Sequence, residues 1–152
     1  MGAPRSDPHV GGMRYGLTVI ELCVVLLLMG TALSALAPAA RRQRDRMAVV
    51  SAREATVALV ARARREARLG GGAALLVERE GGRLWVESTA PSRDTLALEE
   101  RFGVRLELSS ARARLPFDAM GVGRLASRSL RFARGEASSG LSVSAYGRIR
   151  RW

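Results

Sequence analysis

The sequence predicts an α+β protein in which a long N-terminal helix, membrane-spanning in its first part, packs through its second part on a small antiparallel β-sheet domain. Three observations predict it. No residue between positions 22 and 40 carries a charge. Residues 41–69 contain neither Pro nor Gly and stop at Gly70-Gly71-Gly72. Beyond them the apolar residues alternate in short runs broken by Gly, Pro and Ser, which is the period of a strand and not of a helix.

The apolar run comes first. Its 19 residues span about 28 Å at 1.5 Å per residue, against a hydrocarbon core of about 30 Å. As a cleaved secretory signal the run offers Arg5 and Arg14 before it and Ala35-Leu36-Ala37 as a cutting site. Pro38 would then fall just past the cut, where its fixed φ and missing N–H suit a protease poorly, and Glu21 would lie inside the apolar segment. A membrane anchor fits better. Residues 41–69 continue as helix, rich in Ala and Arg. Ala52, Thr56, Leu59, Ala63 and Ala67 recur at spacings of three and four and define a narrow face of small residues suited to close packing on the protein's own sheet. Strands are expected at 73–80 and 83–88 around a Gly81-Gly82 hairpin, and at 104–108, 129–133, 141–145 and 146–150. Residues 90–100 and 109–128 read as loops.

Composition narrows the chemistry. The net charge of +11 comes from 25 Arg and no Lys. The chain also lacks Asn, a bias that a GC-rich coding sequence writes into solvated surface. Such an excess speaks to nonspecific partners and not to fold. The single His is His9 and the single Cys is Cys23, inside the apolar run. A zinc site needs three or four ligands, and a Ser/His or Cys/His nucleophile needs its imidazole. Neither can be assembled, so no enzyme activity, metal or cofactor is expected, and Cys23 reads as a small apolar residue facing lipid or a neighbouring helix.

Glu21 is the residue to explain, because a carboxylate at the mouth of a membrane helix is costly without a partner or a role. The stretch Gly16-Leu17-Thr18-Val19-Ile20-Glu21-Leu22 resembles the leader junction of the type IV pilin-like proteins, with Leu17 in place of the usual Phe. Counted from Leu17, Glu21 is the fifth residue and Pro38 the twenty-second, where the family commonly has a helix-kinking Pro. The resemblance implies that residues 1–16 are a leader. A prepilin peptidase would cut between Gly16 and Leu17 and methylate the amine of Leu17. It also implies a transmembrane helix over 17–40 in the inner membrane, a spine helix over 41–69 and a periplasmic β domain over 70–152. When subunits stack into a filament, the amine of one Leu17 can neutralise Glu21 of another, a pairing strengthened by low dielectric. The flanking charge runs the other way. Arg41, Arg42, Arg44 and Arg46 follow the run while Arg5 and Arg14 precede it, and the positive-inside rule alone favours the opposite orientation; the motif is the more specific signal.

Within this group the C-terminal half is similar to the GspH/FimT-type minor pseudopilins. The likeness lies in Leu115-Pro116-Phe117-Asp118 with Gly121, in Leu130 and Phe132, and in the closing Leu141-Ser142-Val143-Ser144-Ala145-Tyr146-Gly147-Arg148-Ile149-Arg150. Ala63-Arg64-Arg65-Glu66-Ala67 matches the end of their helix. The likeness implies a minor pseudopilin of the type II secretion pseudopilus, a structural role in protein export whose partners are the other pseudopilins or pilins of a filament. The alternative is a minor type IV pilin that contacts nucleic acid during DNA uptake. For that role Arg148, Arg150 and Arg151 would meet phosphates while the Trp152 indole stacks on a base.

Overall fold

The computed structural model describes residues 18–89, 95–123, 127–144 and 146–152. Helix α1 runs Val19–Gly70 and includes Pro38. Thr18 precedes it, and the Thr18 hydroxyl accepts the Glu21 N–H at 3.3 Å, the bond expected of an N-cap threonine. The helix stops where Gly71 takes φ +79°, a left-handed value that glycine adopts without steric cost. The chain divides into two compact units, Met1–Pro38 and Ala39–Trp152.

In the first unit the described residues form one stretch of helix with its side chains exposed, long and apolar enough to cross a membrane once. Its two interior hydroxyls bond within the helix: Thr31 donates to the Leu28 carbonyl and Ser34 to the Gly30 carbonyl, each at 2.9 Å. That leaves neither hydroxyl wanting water in a hydrocarbon setting.

In the second unit α1 buries Val49, Ala52, Thr56, Leu59, Val60, Ala63 and Ala67. The five residues of the expected small face are all among them. Thr56 enters the core without an orphaned hydroxyl, because it donates to the Ala52 carbonyl at 2.9 Å. Among the described residues eight strands follow: β1 Gly72–Glu78, β2 Arg83–Ser88, β3 Thr95–Ala97, β4 Arg105–Glu107, β5 Arg112–Asp118, β6 Arg128–Arg134, β7 Ala137–Val143 and β8 Ile149–Arg151, with a short helix α2 Leu98–Phe102 after β3. They form two four-stranded sheets, β3-β2-β1-β5 and β4-β6-β7-β8, antiparallel throughout.

Register puts one apolar row behind another. In the first sheet Leu75 stands opposite Val86 and Leu115, and Val77 opposite Leu84 and Ala113. In the second, Phe132 stands opposite Leu106, and Leu130 opposite Leu141. These residues and the buried face of α1 make one hydrophobic core. The fold class is therefore as expected, an α+β fold with the long helix packed on antiparallel β structure.

Several local expectations are corrected. Gly81-Gly82 does not make a two-residue hairpin; Glu80–Gly82 forms a single 3-10 turn in which the two glycines take φ +71° and +57°. The expected loop at 90–100 contains β3 and α2, and the expected loop at 109–128 contains β5, a full partner of β1. Pro116 disguised that strand, yet β5 is an edge strand, where a missing N–H interrupts no ladder. The last two strands are displaced, β7 beginning at Ala137 and β8 at Ile149.

Candidate functional site

Two surfaces carry the sequence-predicted site residues. Along the first stretch of α1 every large apolar side chain from Val19 to Leu36 is between 42% and 80% exposed, so this surface is built to be covered by something else. Glu21 lies in the first turn of α1, where its charge suits the positive end of the helix. Pro38 lies within α1. Gly16 and Leu17 lie outside the described residues.

The second surface is the end of the chain. Arg148, Arg150, Arg151 and Trp152 are brought together with Ser142 and Ser144 around an open depression of about 320 Å³. Pairing with β7 sets the direction of each side chain. Arg150 stands opposite Ser142, on the solvent side, while Arg151 stands opposite the buried Leu141. Arg151 accordingly reaches α1 and binds Glu54 at 3.1 Å. Hydrogen bonds from Arg151 and Arg53 hold the Glu54 carboxyl below its ordinary range. The Trp152 indole lies against Gly140, so close that a Cβ there would fall 2.1 Å from the ring, and its Nε1 donates to Ser142 at 3.3 Å. Arg148 and Arg150 are exposed. Of the four residues expected to meet nucleic acid, two are thus engaged by the fold itself.

Sequence reasoning noted Arg64 and Glu66 only as part of a motif, and both prove to be anchors. Arg64 donates to the Gly121 carbonyl at 2.9 Å and to the Gly147 carbonyl at 3.2 Å, tying α1 to loops of both sheets. Glu66 accepts from Arg62 and from the Ser88 hydroxyl, each at 2.7 Å. Burial pushes the Glu66 pKa up, but the Ser88 hydroxyl and the Arg62 guanidinium outweigh it and hold the group below its ordinary 4.5. A carboxyl with a depressed folded pKa adds stability that is present above the unfolded pKa and lost as pH falls through the folded one. Glu66→Gln should therefore flatten the acid limb of a stability-against-pH curve below about pH 4.5. Urea midpoints measured from pH 6 downward check this, and parallel curves for the two proteins would reject it. Arg53 is a further anchor, donating to Ser139 at 2.9 Å, and Ser139 in turn donates to the main-chain oxygen of Trp152 at 3.0 Å. Helical spacing could have paired Arg62 with Glu66, four residues apart, but not the partners of Arg53 and Arg64 or the Ser88 hydroxyl, which meet them only in the folded domain.

One apolar N-terminal helix continued into a domain of antiparallel sheets defines a pilin-type architecture, and the chain has the pilin fold. Among solved structures it is similar to the type IV minor pilin FimU of Pseudomonas aeruginosa in two crystal forms. One matches with a TM-score of 0.53 at 22% identity over 67% of this chain and 86% of that one. The other matches with 0.52 at 23% over 67% and 90%. No protein-family model and no curated protein sequence matches the chain. At such identity the likeness is one of fold.

Proposed function

We propose that this chain is a non-catalytic minor subunit of a pilin-type filament, a minor pseudopilin of the type II secretion pseudopilus that serves protein export. The observation that carries the reading is the exposed apolar stretch of α1 with Glu21 in its first turn. Lipid covers that stretch before assembly, and the helices of other subunits cover it afterwards. On this reading the prepilin peptidase cuts between Gly16 and Leu17 and methylates Leu17, and Glu21 sets subunit register. Pro38 bends the helix near the membrane edge, and the β domain stands in the periplasm while the helix is held in the inner membrane. Co-expression with a prepilin peptidase tests it: intact mass should show loss of residues 1–16 and gain of one methyl group. An unchanged mass would reject the processing site.

A second reading, contact with DNA during uptake, is favoured by one observation, the exposed pair Arg148 and Arg150 beside Ser142 and Ser144. The export reading is preferred because Arg151 is bound to Glu54 and one face of the Trp152 ring is against Gly140. A salt titration of residues 39–152 with duplex DNA separates the two readings. Weak binding that fades with salt equally in wild type and in Arg148→Ala/Arg150→Ala is expected from a nonspecific cation. Affinity that persists near physiological salt and collapses in the variant would transfer the assignment to DNA uptake.

A further inference from the structure

We propose that Arg41, Arg42, Arg44 and Arg46 form a collar that binds the headgroups of anionic phospholipids and holds the subunit at the membrane surface. The inference rests on the reading that the first part of α1 spans a bilayer. These four residues follow the uncharged run directly in sequence and belong to the same helix. At about 100° per residue they point in four directions, roughly 0°, 100°, 300° and 140°, and so distribute positive charge around the helix instead of along one stripe. From Arg41 to Arg46 the axial rise is about 7.5 Å, comparable with the roughly 5–8 Å headgroup layer on each side of a hydrocarbon core.

The domain leaves this charge largely uncompensated. All four arginines are exposed. Among the described residues the side chains of Arg41, Arg44 and Arg46 have no ion-pair or hydrogen-bond partner. Among the described residues the Arg42 side chain has only Glu136, at 3.7 Å, with both side chains largely in solvent. An exposed pair of this kind contributes little. The one acid in the segment is turned away, since Asp45 binds Arg134 at 2.9 Å. Guanidinium groups match phosphate oxygens in pairs, and arginine stems can lie along apolar surface while the heads reach phosphate. Basic residues next to a membrane span are attracted to acidic lipid, and salt screens the attraction. The collar binds acidic headgroups on whichever side of the bilayer it emerges, so it accounts for four arginines after the span without reference to orientation.

The full chain, reconstituted in vesicles of equal phosphatidylcholine and phosphatidylglycerol, tests the collar through the lipids that remain bound after gentle detergent extraction, identified by mass spectrometry. Wild type should retain phosphatidylglycerol several-fold over phosphatidylcholine. Changing the four arginines to Gln, a good helix former, should return the ratio to that of the vesicles, and changing them to Lys should preserve the enrichment. A wild-type ratio equal to that of the vesicles overturns the proposal, as does enrichment that survives the Gln changes. Loss of DNA affinity at physiological salt in the Gln variant, with no lipid preference in wild type, would assign the collar to nucleic acid instead. Flotation with pure phosphatidylcholine vesicles reports the anchor separately. A chain that does not float with them overturns the membrane reading and the collar together, whereas a chain that floats without lipid preference overturns the collar alone.

Discussion

Phe132→Ala is expected to destabilise the domain by about 3–5 kcal/mol, a large part of the roughly 5–15 kcal/mol that holds a small domain together. Phe132 heads the fully buried side chains by volume and has no solvent exposure. It stands opposite Leu106 on one side and Ser139 on the other, in the core that the helix and both sheets share. Equilibrium urea unfolding of residues 39–152 measures the loss. Phe132→Leu, which keeps most of the volume, should cost less than about 1.5 kcal/mol. A loss below about 1 kcal/mol for the alanine variant would mean that the site collapses freely and that the core is not packed to the usual density.

Glu21→Gln is expected to leave membrane insertion intact and abolish incorporation into filaments. Two roles are open to this carboxylate. One is local: Thr18 and Glu21 have the spacing of a capping box, and the Thr18 hydroxyl already accepts the Glu21 N–H. Glutamine serves that role as well as glutamate does. The other is the proposed pairing with the Leu17 amine of another subunit, which needs the charge. A buried ion deprived of its partner costs about 3–5 kcal/mol, enough to exclude a subunit from a growing assembly. Comparing membrane and sheared-filament fractions by immunoblot decides between them. Normal incorporation of the Gln variant, with loss only in Glu21→Ala, would reduce Glu21 to a capping residue.

The helix was the legible part of the fold. Spacings of three and four at Ala52, Thr56, Leu59, Ala63 and Ala67 report a single local geometry, and all five are buried. Strands were read unevenly: β4 falls within the expected 104–108, whereas the three-residue β3 is too short to display a period. The seven residues of β5 do alternate, but with Arg112 and Arg114 on one face and Pro116 among them they resemble a solvated loop until β1 supplies the partner. At the candidate site, sequence reasoning singled out Arg150, which is exposed. It could not foresee that Arg151 would reach Glu54, 97 residues away in sequence, or that Gly140 would make room for an indole. Pairings of that range belong to the assembled domain and leave no trace in local pattern.

Arg64 fastens two loops by their backbones and not by their side chains. Its acceptors are the carbonyls of Gly121 and Gly147, at positions where φ is +72° and +75°. A main-chain acceptor is indifferent to the identity of the residues around it, so evolution can rewrite the exposed Met120 and Tyr146 beside these glycines without loosening the attachment. The scaffold thereby separates what is fixed from what is free to diversify. For an engineer, those two loops are natural places to graft a foreign epitope.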